Sequence, residues 1–130
     1  MNDEEALIRS FVVATKQERY IGFLANPKRR GKATAALLHF GDLDPRWVVP
    51  LPAGKQAAEE IEAALRSRGA GDTCHVISYG EEIDGRQMAL AEALGAVANG
   101  CEGTLLSCLP GKLAYFAGEA PHNRCILVRP

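Results

Sequence analysis

The chain has 130 residues, 47% of them hydrophobic, with 15 basic and 16 acidic side chains and a formal net charge of −1. That length suits one domain spanning residues 1–130, and the near-neutral balance excludes a surface built wholly for nucleic acid or membrane. No apolar run reaches the ~20 residues of a membrane span. The opening MNDEEALIRS is acidic where a secretion signal is basic, so a cytoplasmic location is expected.

The first predicted element is a helix over residues 4–24. Val13, Lys16, Gln17, Tyr20 and Leu24 share one face, and Leu7, Phe11, Ala14 and Ile21 share its neighbour. A strand over residues 10–15 is the competing reading. Asn26-Pro27 then signals a second helix over 27–40, since Asn caps well and Pro suits the first helical position. Gly41 stops it. Seven basic residues and one acid lie between Arg9 and Lys32. The cluster Lys28, Arg29, Arg30 and Lys32 reads first as a solvated face whose substitution should barely affect folding. Its second reading is a patch for phosphate or nucleic acid.

Residues 46–51 (RWVVPL) form the first predicted strand, cut short by Pro50 and Pro52. A third helix over 56–68 buries Ile61 and Leu65 and ends at Gly69. Residues 74–78 (CHVIS) are the second strand, and a polar loop over 79–86 leads to a fourth helix over 87–98. The stretch GTLLSCLPGKLAYFAGEA predicts two apolar strands, 104–109 and 113–117, in the middle of a sheet. Pro110-Gly111 joins them, as the central residues of a type II turn do. A last strand covers 124–129.

The order ααβαβαβββ implies an α/β fold: a three-layer α/β/α sandwich around a mixed sheet of about five strands. Its core is parallel and its C-terminal strands are antiparallel. Ligands of such sheets bind beyond the carboxyl ends of the parallel strands. The candidate contacts there are Lys55, Ser78, Asp84, Arg86, Ser107, Gly111 and Lys112. An anionic small molecule is the first functional expectation, held by Lys55, Arg86 and Lys112. Ala53-Gly54-Lys55 is no phosphate-binding loop of the G-x-x-x-x-G-K-[ST] type, because Gln56 stands where Ser or Thr belongs.

The opposite end collects His39, Asp42, Asp44, Glu119 and His122, the residue types of a metal-dependent hydrolase. No ligand spacing among them is strong, and neither a metal nor a cofactor is expected. A nucleic-acid or protein interaction through the basic N-terminal helices is the third reading. Four cysteines (Cys74, Cys101, Cys108 and Cys125) lack any Cys-x-x-Cys pair and read as buried thiols rather than disulfides or ligands. His75 reads as a satisfied core histidine. No motif specifies a reaction.

Overall fold

The computed structural model describes residues 2–119 and 123–130, and hangs five helices on one six-stranded sheet. Helix α1 covers Asp3–Phe11. The side chain of Asn2 caps it by accepting from the Glu5 N–H at 2.7 Å, and three acids occupy its first turn. The helix expected over 4–24 is broken in the middle. Val12 is extended (φ −97°, ψ 145°) and forms a bridge with Leu43. The two β-branched residues Val12 and Val13 lose least by leaving the helix there, and Val13 N–H donates instead to Asp42 O. A 3₁₀ turn then leads into α2, Gln17–Ala25.

The second expected helix also shortens, to α3, Arg30–Ala36, followed by a 3₁₀ turn over Leu37–His39. Asn26 and Pro27 shape the turn before α3 rather than its first residues: Asn26 Oδ1 accepts from Lys28 N–H. Strand β1 is Val48–Pro50, α4 is Ala58–Ser67, and β2 is Thr73–Ser78. The first residues of the helix expected over 87–98 form instead a strand, β3, Gln87–Ala89, before α5, Leu90–Ala98. Strands β4, β5 and β6 are Thr104–Leu109, Leu113–Ala117 and Arg124–Val128.

The sheet order is β1-β6-β5-β4-β2-β3, and every neighbouring pair is antiparallel. The expectation of a parallel core in a mixed sheet of about five strands is therefore corrected. Two features overturn it. The three C-terminal strands insert as a meander between β1 and β2, so those two strands run the same way but never pair. The three residues of β3 reverse the chain before α5, so α5 delivers β4 antiparallel to β2. A strand this short carries almost no periodic signal.

Alternate residues of the central strands feed two hydrophobic clusters, as the two-residue period of a strand requires. Val76, Leu106, Leu113, Tyr115, Ala117 and Ile126 join Ile61 and Leu65 of α4 and Leu90, Leu94 and Val97 of α5. Ile77, Leu105, Ala114, Phe116, Cys125 and Leu127 join Leu7, Ile8 and Phe11 of α1, Tyr20 and Leu24 of α2, and Ala33 of α3. Each fully buried Leu or Ile contributes about 1.5–3 kcal/mol. The two-sided burial of β4 and β5 agrees with their apolar sequence.

The turn between β4 and β5 is as tight as its Pro-Gly requires. Lys112 N–H donates to Leu109 O at 2.9 Å, and Gly111 has φ +70°. A Cβ on Gly111 would also stand 3.0 Å from Ser10 Oγ on α1. Gly111→Val is expected to destabilise the protein by about 1–3 kcal/mol, through backbone strain and this collision. Pro110→Ala should cost roughly 0.4–1 kcal/mol, through the freer unfolded chain. Denaturant titration of the two variants checks both, and a wild-type midpoint for Gly111→Val would contradict the strain.

Candidate functional site

The antiparallel sheet separates the residues expected to converge. Ser78 closes β2 beside Thr104 and Ala117, at the end of the sheet where β6 begins. Gly111 and Lys112 sit at the opposite end, in the β4–β5 turn, and Lys112 Nζ donates to Pro130 O. Ser107 pairs in register with His75 inside the sheet and is 4% exposed. Lys55 follows β1, on the far edge from Ser78, and its ammonium lies 3.8 Å from Glu60. Ser78, Asp84 and Arg86 stay neighbours at one end, apart from Gly111 and Lys112 at the other. Arg86 is exposed and donates to Glu82 O. The expected single anion site at the strand ends is thus dispersed, because it depended on parallel strands.

Of the carboxylate and histidine group, His39 and Glu119 meet, while Asp42 and Asp44 take other partners. His39 Nδ1 lies 3.5 Å from Glu119 Oε1, Asp42 accepts from the Tyr20 hydroxyl at 2.5 Å, and Asp44 caps the turn Pro45–Trp47 and pairs with Arg46. His122 lies outside the described residues. Among the described residues, no three His, Cys, Asp or Glu side chains are grouped to hold a metal ion. Cys74, Cys108 and Cys125 are buried free thiols, and burial pushes Cys108 up to about 12, which disfavours the thiolate.

Two arrangements emerge, the first announced by no local motif. The first is a half-buried ionic chain. Arg30 on α3 donates from Nη1 and Nη2 to the two oxygens of Glu4 on α1, each at 2.7 Å. Its Nε and Nη2 donate to Asp84 at 2.7 and 2.9 Å, and Nη1 also reaches Leu24 O at 3.4 Å. All five guanidinium N–H groups are thereby used. Asp84 Oδ1 also accepts from Ser78 N–H, and Ser78 Oγ bonds Thr104 Oγ1 at 2.7 Å. At the other end, His75 Nε2 meets Glu4 Oε2 at 2.8 Å. The partners lie 26, 54 and 71 residues apart in sequence, beyond the reach of any spacing rule.

Electrostatics follow from this geometry. Burial alone would raise the Glu4 carboxyl, but the hydrogen bonds from Arg30 and His75 outweigh it and hold Glu4 at about 2. The Glu4 bond raises His75 above its ordinary value against a smaller effect of burial. Two carboxylates and one guanidinium leave one negative charge, which protonated His75 balances. His75, expected as a satisfied core residue, is satisfied by Glu4 but is half-buried rather than core.

The second arrangement lies on the surface of the α2–α3 hairpin. Three cations surround the half-buried ring of Phe23: the guanidinium carbon of Arg29 at 4.9 Å from its centroid, that of Arg19 at 5.6 Å and Lys32 Nζ at 5.8 Å. The electron-rich ring face attracts each. Together with Gly22 and Glu18 they line an open hollow of about 740 Å³. Glu18 is engaged by Arg9 at 2.9 Å. Among the described residues, no carboxylate pairs with Arg19, Arg29 or Lys32. A second cleft of about 600 Å³, between α3 and the β2–β3 loop, exposes Tyr79 and is rimmed by Glu81 and Glu82. Arg30 in that cleft is already matched by two carboxylates.

The basic run is thus divided. Arg30 turns inward as structure, while Arg29 and Lys32 face solvent. Replacing Lys28, Arg29 and Arg30 together would therefore not spare folding.

The ionic chain makes stability depend on pH in a definite direction. A histidine whose folded pKa is raised stabilises fully below its unfolded value of about 6.5, and this contribution is lost as pH rises through the folded value. Glu4 acts in the other direction, losing its contribution only as pH falls from about 4.5 towards about 2. Wild-type stability should therefore decline as pH rises from about 6.5 through the raised folded value of His75, while His75→Gln shows a flatter profile. Denaturant midpoints across this rise decide it; parallel profiles would show that His75 does not titrate with folding.

Comparison with known proteins adds no constraint to this geometry: no family model, no curated protein and no solved structure matches the chain.

Proposed function

We propose that the protein is a binding module for a multiply anionic, phosphate-bearing ligand, and that the ligand docks on the α2–α3 surface at Arg19, Arg29 and Lys32. The observation that carries this reading is the gathering of three cations on one aromatic ring without a carboxylate partner among the described residues. Like charges brought this close repel one another, and a bound anion relieves that repulsion. The chain as a whole is close to neutral, so the positive potential is local and able to orient an approaching anion. The anion expected at the strand-end loops is moved to this surface, since Lys55, Arg86 and Lys112 lie apart.

Wild-type protein should be retained on immobilised heparin at low salt and elute as salt rises, because each ion contact releases counterions. Arg19→Ala/Arg29→Ala/Lys32→Ala should flow through. Its stability should change little, since exposed substitutions usually cost within ~0.5 kcal/mol each. Arg30→Ala is the opposite case: it strands two half-buried carboxylates and should cost about 3 kcal/mol, while the folded fraction elutes from heparin like wild type. Equal retention of the triple variant and wild type would overturn the assignment of the surface.

A further inference from the structure

We infer that the ligand of the α2–α3 surface is single-stranded nucleic acid, with one base stacked on Phe23 and adjoining phosphates held by Arg19, Arg29 and Lys32; this rests on the anion-binding reading above. Cations alone make a polyanion site, and Phe23 is what they do not explain. A solvated basic face has no use for an aromatic ring at its centre. Phe23 packs part of its side chain against the hydrophobic cluster of α1, α2 and α3 and leaves part in the hollow. It is therefore a held platform rather than a loose side chain, and a held aromatic face is what an unpaired base stacks on.

The floor beside the ring is unobstructed. A Cβ at Gly22 would meet no atom within 4 Å, so the backbone beside Phe23 is open, and what lies over the ring is the flexible ends of Arg19, Arg29 and Lys32. The hollow of about 740 Å³ is open, which admits a strand passing across it rather than a ligand enclosed on all sides. All three cations lie within 5.8 Å of the ring centroid. A base on the ring therefore brings its own and its neighbour's phosphate near them. The guanidinium planes of Arg19 and Arg29 can stack as well as pair.

Competing polyanions use fewer of these features. Duplex DNA keeps its base faces stacked inside and would engage the cations alone. An acidic peptide would likewise leave the ring face idle. A lipid surface calls for apolar side chains to insert, and the one large apolar side chain that is well exposed, Tyr79, belongs to the acidic cleft among the described residues.

The test compares two labelled strands of equal length and charge, oligodeoxythymidine and its abasic counterpart, by fluorescence anisotropy at low salt. Wild type should bind the thymidine strand about ten-fold more tightly, the size of one stacked base. Phe23→Leu keeps the apolar packing but removes the aromatic face, and should bind both strands alike, at the abasic level. Equal binding of the two strands by wild type overturns the inference while leaving the anion-binding reading intact. So does a Phe23→Leu variant that still prefers the thymidine strand, or preferential binding to phosphatidylserine vesicles over either strand. Failure of wild type to bind heparin and both strands removes the anion-binding reading and the inference with it. The strand comparison in wild type needs no variant, so a misfolded Phe23→Leu protein leaves the test in force.

Discussion

The ion chain centred on Arg30 is the constraint on which the placement of the N-terminal half depends. One guanidinium fastens α1 through Glu4 and the β2–β3 loop through Asp84, and Asp84 in turn holds the end of β2 through Ser78. A half-buried charge is tolerated only when its partners are in place, so these elements must arrive together. The surrounding apolar clusters supply most of the stabilisation and little of the register. A helix packed by Leu7, Ile8 and Phe11 alone is able to slide or rotate at modest cost, and the bidentate pairs to Arg30 remove that freedom.

The same chain also explains how a basic segment serves two purposes. Arg30 lies between Arg29 and Lys32 in sequence, yet its charge is cancelled inside the protein while theirs stay in solvent. Helical geometry makes the division, since residues one and two apart on a helix or its first turn face different ways. Neutralising the inward arginine lets α3 pack against the molecule and still present a cationic outer face. The acidic rim around Tyr79 then lies on the other side of α3, so charge is segregated across a single short helix.

Much of the fold was legible in local signals. Strands β4, β5 and β6, the Pro110-Gly111 turn, and the cores of α4 and α5 lie where hydrophobic periodicity and turn chemistry put them. The failures have a common cause. Val12 leaves the helical pattern for a bridge to Leu43, and Gln87–Ala89 forms a three-residue strand; in both cases a partner distant in sequence decides the backbone. The parallel arrangement failed because a meander at the end of the chain occupies the centre of the sheet. Of the site, the basic segment and its phosphate or nucleic-acid reading were visible. The role of Phe23 and the inward turn of Arg30 were not, since both arise when α2, α3, Glu4 and Asp84 are assembled. Lys55, Ser107 and Lys112 were grouped by a rule about strand ends that antiparallel strands do not obey.

The outer strands carry a consequence of their own. Both edges of the sheet, β1 and β3, are three residues long, and β1 ends in Pro50 with Pro52 two residues on. A proline offers no N–H to an incoming strand, and three residues give too short a ladder to template one. The apolar strands β4 and β5, which as free edges would invite cross-strand aggregation, are enclosed between neighbours on both sides. Short, proline-marked edges of this kind disfavour strand addition and leave the central strands paired on both sides.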